Sequence, residues 1–160
     1  SPPGWRPRWT TCAIRRPRSA ETSGPRAFYP WPSAGPHAAM FTIFKDYLFS
    51  AGHAIRGHQR GCQNLHGHNY RVRVHVAAET LDRLGMVIDF ADLKTIADQV
   101  LGRFDHAVLN DLPPFTERNT TAELIAQYVF EEVALRLPEG RRVRRVEVWE
   151  TETSCAIYEP

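Results

Sequence analysis

The run from His66 to Ala78 limits the fold more than any other stretch of this chain. It reads His-Gly-His-Asn-Tyr-Arg-Val-Arg-Val-His-Val-Ala-Ala. His66, His68, Tyr70, Val72, Val74 and Val76 alternate with Asn69, Arg71, Arg73 and His75. A period of two puts each set on its own side of an extended strand, whereas a helix would scatter both. One side is apolar and must be covered, so the strand needs a sheet beside it and a second layer over it.

The rest of the chain supplies both. Phe41 to Ser50 is rich in aromatic and β-branched residues and predicts a first strand. Asp89 is placed to cap a helix whose apolar positions Phe90, Leu93, Ile96, Ala97, Val100 and Leu101 recur at helical spacing, with Gly102 at its end. Thr120-Thr121-Ala122-Glu123 has the spacing of a capping box and predicts a second helix with Leu124, Ile125, Tyr128, Val129 and Val133 buried, ended by Pro138-Glu139-Gly140. Val146, Val148 and Glu150 alternate with Arg145, Glu147 and Trp149, and a last strand lies near Cys155–Tyr158. Two strands, two helices and two strands predict an α+β domain, an antiparallel sheet with both helices on one face.

Length and charge bound the organisation. At 160 residues, with 42% hydrophobic and 24% charged residues, the chain suits one globular domain. It holds no apolar run of about 18 residues, the span of a membrane helix. Cys12, Cys62 and Cys155 are too few for a disulfide framework. Residues 1–39 carry six arginines, one acid and eight of the twelve prolines, which predicts an unfolded extension ahead of a domain over 40–160. A basic arm, a transit peptide (whose amphipathic helix the prolines would spoil) and an early gene start compete to explain this leader. The favoured expectation is a start at Met40, where the strand pattern begins. Without the leader the balance of charge is −3, against nucleic-acid binding by the domain.

Six of the seven histidines fall between His53 and His106. His66 and His68 lie on one strand side, about 7 Å apart by the rise per residue, and can share a metal ion. His53 ends the first strand pattern and is the best third ligand if the two strands pair. Three imidazoles with an open fourth position describe a catalytic zinc site. The bland alternative leaves His66 and His68 as polar residues at a strand end.

Cys62, four residues before His66 and near Arg60, is a candidate base or nucleophile, with a buried thiol or a fourth zinc ligand as the alternatives. Asp105 can orient His106 for proton transfer. Glu150 in an apolar series calls for a partner, such as a ligand edge with two adjacent N–H donors, or else is solvated. Glu123 reads as the capping partner of Thr120. His37, His58 and His75 read as surface residues.

Together, Phe49–His53, Cys62–Tyr70, Val87–Lys94, Phe104–Asn110 and Trp149–Thr151 resemble the 6-pyruvoyl-tetrahydropterin synthase family, in its order and across nearly all of residues 41–158. The resemblance implies the tunnelling fold: a four-stranded antiparallel sheet with two helices on one side, assembling into a homohexamer (a dimer of trimers) with active sites at subunit interfaces. It implies zinc on His53, His66 and His68, and a catalytic Cys62 with Asp105 and His106 as proton-relay partners. Glu150 would anchor a pterin ring, with Thr121 and Glu123 lining the pocket.

Three residues between Cys62 and His66 are similar to the branch that makes 6-carboxytetrahydropterin for 7-deazaguanine (queuosine) precursors; the pyruvoyl-forming branch has a longer insertion. The implied substrate is dihydroneopterin triphosphate, met by Arg56, Arg60, Arg71 or Arg73, and the implied location is the cytoplasm. Asn119-Thr120-Thr121-Ala122-Glu123 departs from the Pro-Thr-Ser-Glu wording common in the bacterial branch, and the leader matches nothing in the family. The pyruvoyl-forming enzyme, a non-catalytic zinc protein and a nucleic-acid binder using the leader are the rival readings.

Overall fold

A computed structural model of the chain describes residues 40–59 and 61–160. The leader, with His37 and Cys12, and Arg60 lie outside the described residues. Strand β1 (Phe41–His53) and strand β2 (His66–Ala78) pair antiparallel along their whole lengths, from Phe41 opposite Ala78 to His53 opposite His66. Helix α1 (Phe90–Leu101), strand β3 (Ala107–Val108), helix α2 (Ala122–Ala134), strand β4 (Arg142–Thr151) and strand β5 (Ser154–Tyr158) follow. The sheet order is β3-β1-β2-β4-β5.

The architecture is α+β, as expected, and β1, β2, β4 and β5 form the four antiparallel strands. The sheet also has a fifth member, because β3 pairs parallel with β1 at Ala51 and Gly52. Two residues carry no periodicity, so the sequence holds no signal for β3.

The core follows the alternation. Tyr47, Phe49, Tyr70, Val72, Val74, Val76, Val146 and Val148 are buried beneath Leu93, Ala97, Val100 and Leu101 of α1 and Ile125, Ala126, Val129 and Val133 of α2. Burying each valine, leucine, isoleucine or phenylalanine side chain among these contributes about 1.5–3 kcal/mol. The Tyr47 hydroxyl donates to the Leu93 carbonyl at 3.0 Å and fastens β1 to α1.

Four local expectations change. Thr121 rather than Thr120 is the N-cap of α2, its Oγ1 accepting from Leu124 N at 3.4 Å, so Glu123 sits one position too early to close a capping box. Gly102 ends α1 in right-handed geometry (φ −59°) and not as a left-handed cap. Phe90 is 52% exposed and lies outside the core stripe. His75 is buried, contrary to the surface reading: its Nε2 lies 2.7 Å from Glu147 Oε1, and Arg145 holds the same oxygen at 2.8 Å. That cluster belongs to the sheet face away from the helices. Arg73 stacks there over Phe44 with 4.0 Å to the ring centroid, and Arg71 likewise over Trp149 at 4.0 Å.

Candidate metal centre and substrate pocket

The β1–β2 register brings the histidines together. His53 and His66 are directly opposed at the end of the ladder, and His68 shares the core-side face of β2 with His66. One ligand atom from each of the three lies within 4.8 Å of the others. Gly67, between the two histidines of β2, faces Ala51 O, which a Cβ would approach to 3.5 Å.

The second ring nitrogens explain the orientation. His53 Nδ1 lies 2.8 Å from Thr120 O, and His66 Nδ1 lies 2.8 Å from Asn64 O. A carbonyl accepts only, so each ring carries a proton on Nδ1, and in its neutral form leaves Nε2 to accept or to bind a metal. The two Nε2 atoms face each other at 3.1 Å. Two neutral rings so held would set lone pair against lone pair, a conflict that a proton or a shared cation removes. Burial also holds the His53 imidazole below its ordinary pKa, favouring the neutral form a metal requires. The donor set therefore fits a metal ion.

The trio opens into a pocket of about 380 Å³ that Cys62, Thr121, Glu123 and Glu150 also line. Glu150 Oε1 lies 4.0 Å from His53 Nε2, on the face β4 shares with Val146 and Val148. Cys62 is exposed on a short 3-10 turn, Gly61–Gln63, tied to the end of β1 by the bond from Ile55 N to Cys62 O at 2.8 Å. His58, read from sequence as a surface residue, lines the same pocket.

Asp105 and His106 lie elsewhere in the single chain. Their Oδ2 and Nδ1 are 2.9 Å apart, and His106 lines a second depression with Ser50, Gly67, Asn69 and Val108. Ser50 pins both residues: its N–H donates to Asp105 Oδ1 at 2.9 Å, and its carbonyl accepts from His106 N at 2.6 Å. The Ser50 N–H holds the Asp105 carboxyl below the usual carboxylate range, with His106 adding to the effect. His106 adopts φ +56°, a left-handed conformation costing a non-glycine residue on the order of 1 kcal/mol, and its side chain is 81% exposed.

The sequence pattern of the family described as 6-pyruvoyl tetrahydropterin synthase matches residues 42–160, from β1 through β5. This chain belongs to that family. The 6-carboxy-5,6,7,8-tetrahydropterin synthase of Haemophilus influenzae is 34% identical over 142 residues, covering 75% of this chain and 99% of that protein. The protein of the same name from Synechocystis is 37% identical over 124 residues, covering 74% and 93%. Among solved structures, the Caenorhabditis elegans 6-pyruvoyl tetrahydropterin synthase matches with a TM-score of 0.67 at 28% identity, over 76% of this chain and 96% of that one.

Within this tetrahydropterin synthase family member, the candidate arginines differ in their freedom. The Arg56 guanidinium donates to the carbonyls of Phe115, Arg118 and Asn110 at 3.0–3.3 Å, so it braces the loops rather than facing a ligand. Arg73 is held bidentate by Asp46 at 2.6 and 2.8 Å, and that ion pair keeps the Asp46 carboxyl below its usual range. Arg71 stacks on Trp149 beside a third depression lined by Asn69 and Glu152. Residues that sequence reasoning missed are Thr120, Asn110 and Asn119, which shape the site through backbone contacts and carry no periodic signal. No helix among the described residues is long and apolar enough to cross a membrane.

Proposed function

We propose that this chain is a zinc-dependent 6-carboxy-5,6,7,8-tetrahydropterin synthase. It would convert 7,8-dihydroneopterin triphosphate, with uptake of water, into 6-carboxytetrahydropterin, triphosphate and acetaldehyde, in the cytoplasm and on a route to 7-deazaguanine compounds. The observation that carries the reading is the single pocket shared by the three-histidine cluster, Cys62 and Glu150. The names of the Haemophilus and Synechocystis relatives support the product assignment.

Zinc, held by His53, His66 and His68, would supply Lewis-acid polarisation of the substrate side-chain oxygens. The residues do the rest. The Glu150 carboxylate accepts from two adjacent N–H groups of the pterin edge, and its 4.0 Å separation from His53 sets the side chain over the histidines. Thr121 and Glu123 bound the same pocket. The Cys62 thiolate takes a side-chain proton, and His106, oriented by Asp105, moves another.

Because His106 lines a depression that Cys62 does not, the two meeting only at His68, the complete site is read as shared between two copies in a homohexamer, each giving its Asp105–His106 pair to a neighbour. Metal analysis of the purified protein, with turnover of dihydroneopterin triphosphate and detection of acetaldehyde, tests the proposal. Turnover without acetaldehyde would assign the pyruvoyl-forming reaction instead. Bound zinc without turnover would leave a metal-binding protein only.

A further inference from the structure

The three residues after β1 pair their backbone in an unusual way. Ala54 N donates to Asn110 Oδ1 at 2.8 Å, and Asn110 Nδ2 donates back to Ala54 O at 2.9 Å. Arg56 N donates to Asn119 Oδ1 at 2.9 Å, and Asn119 Nδ2 donates back to Arg56 O at 3.1 Å. Between them, Ile55 N donates to Cys62 O at 2.8 Å, and Ile55 O accepts from His58 N at 3.3 Å.

Every backbone donor and acceptor of residues 54–56 is thus satisfied, and two side-chain amides stand where neighbouring strands would be. The Arg56 guanidinium then ties this segment to the carbonyls of residues 110, 115 and 118. The amide-held segment directly follows His53, and Asn119 directly precedes Thr120, whose carbonyl receives His53 Nδ1 at 2.8 Å.

We infer that Asn110 and Asn119 are positioning residues for the metal centre: their amides lock residues 54–56 against the 110–120 segment and so fix the ring orientation of His53. The inference rests on the reading of His53, His66 and His68 as metal ligands. An amide carries a donor and an acceptor side by side on separate atoms, and so can pair with the N–H and C=O of one residue together. Loss of either amide frees the segment carrying His53 without removing a ligand. Groups that orient metal ligands in this way change metal affinity by about 10–100-fold when removed.

The test titrates zinc into the full-length, metal-free wild type and the Asn110→Ala and Asn119→Ala variants, in competition with a chromophoric chelator. Both variants are expected to bind zinc about 10–100-fold more weakly than wild type. Arg141→Ala serves as the structural control: it removes a side-chain bond to Val87 O of 2.6 Å at the opposite end of the sheet, and it should bind zinc as wild type does. Asn119→Asp keeps the acceptor for Arg56 N–H and loses the donor, so its affinity should lie between wild type and alanine. It carries the test if the alanine variants do not fold.

Wild-type affinity in the Asn variants overturns the inference, as does an equal loss in Arg141→Ala. A wild type that binds no zinc overturns the metal reading itself and the inference with it, an outcome distinct from the first.

Discussion

His53 Nδ1 lies 2.8 Å from the carbonyl oxygen of Thr120, a residue 67 positions further along the chain. That bond dictates which nitrogen of His53 carries the proton. In metal-free protein, long-range ¹H–¹⁵N spectra should show His53 as the Nδ1–H tautomer, with an unprotonated Nε2 resonance that moves on addition of zinc. A protonated Nε2 on His53 in those spectra would contradict the orientation derived for the site.

Replacing Cys62 by alanine should leave zinc content and the unfolding midpoint close to wild type, because the thiol is exposed on a short turn and is not one of the three clustered ligands. Turnover should fall by about 10²–10⁴, the usual worth of a positioned acid or base. Loss of zinc in this variant would instead make Cys62 a fourth ligand.

Cys62→Ala and His106→Ala proteins should each turn over about 10²–10⁴ more slowly than wild type alone. Co-expressed, they should regain turnover if one copy lends its His106 to the Cys62 pocket of another, since some interfaces then contain both native groups. A mixed assembly with no recovered activity would place the two functions within one chain.

Asp46→Asn should lower stability at pH 7 by about 0.5–1 kcal/mol, the range for a partly exposed ion pair. Arg73 depresses the Asp46 pKa in the folded state, so the pair stabilises fully above the ordinary value of 3.8 and is lost as pH falls through the folded value. The gap in urea midpoint between wild type and variant should therefore close on acidification below 3.8. A gap that persists at low pH would mean the contribution is packing of the side chain and not charge.

Much of the fold and of the histidine cluster is legible in the sequence. The alternation of His66–Ala78 gives the central strand and its buried face, and pairing it with Phe41–His53 puts the three histidines in one place. Interactions between side chains and distant backbone were not readable. Nothing in the spacing of Asn110 or Asn119 points to residues 54–56, and the Thr120–Thr121 pair offers two equivalent caps that only the path of the chain distinguishes. His75 misled for a related reason. It alternates with the core valines and so reads as solvated, yet Glu147 on β4 and the Phe44 ring, with its centroid 5.5 Å away, enclose it on the face without helices. Arg56 looked available for an anion because its three carbonyl partners lie 54 to 62 residues away.

The trio itself comes from one hairpin, whereas the groups that hold His53 and the residues after it arrive from more than fifty residues downstream. A growing polypeptide emerging from the ribosome would thus present all three imidazoles well before the segment that disciplines them exists. The His53 ring would reach its final orientation only once the second half of the molecule, with Thr120, has been made.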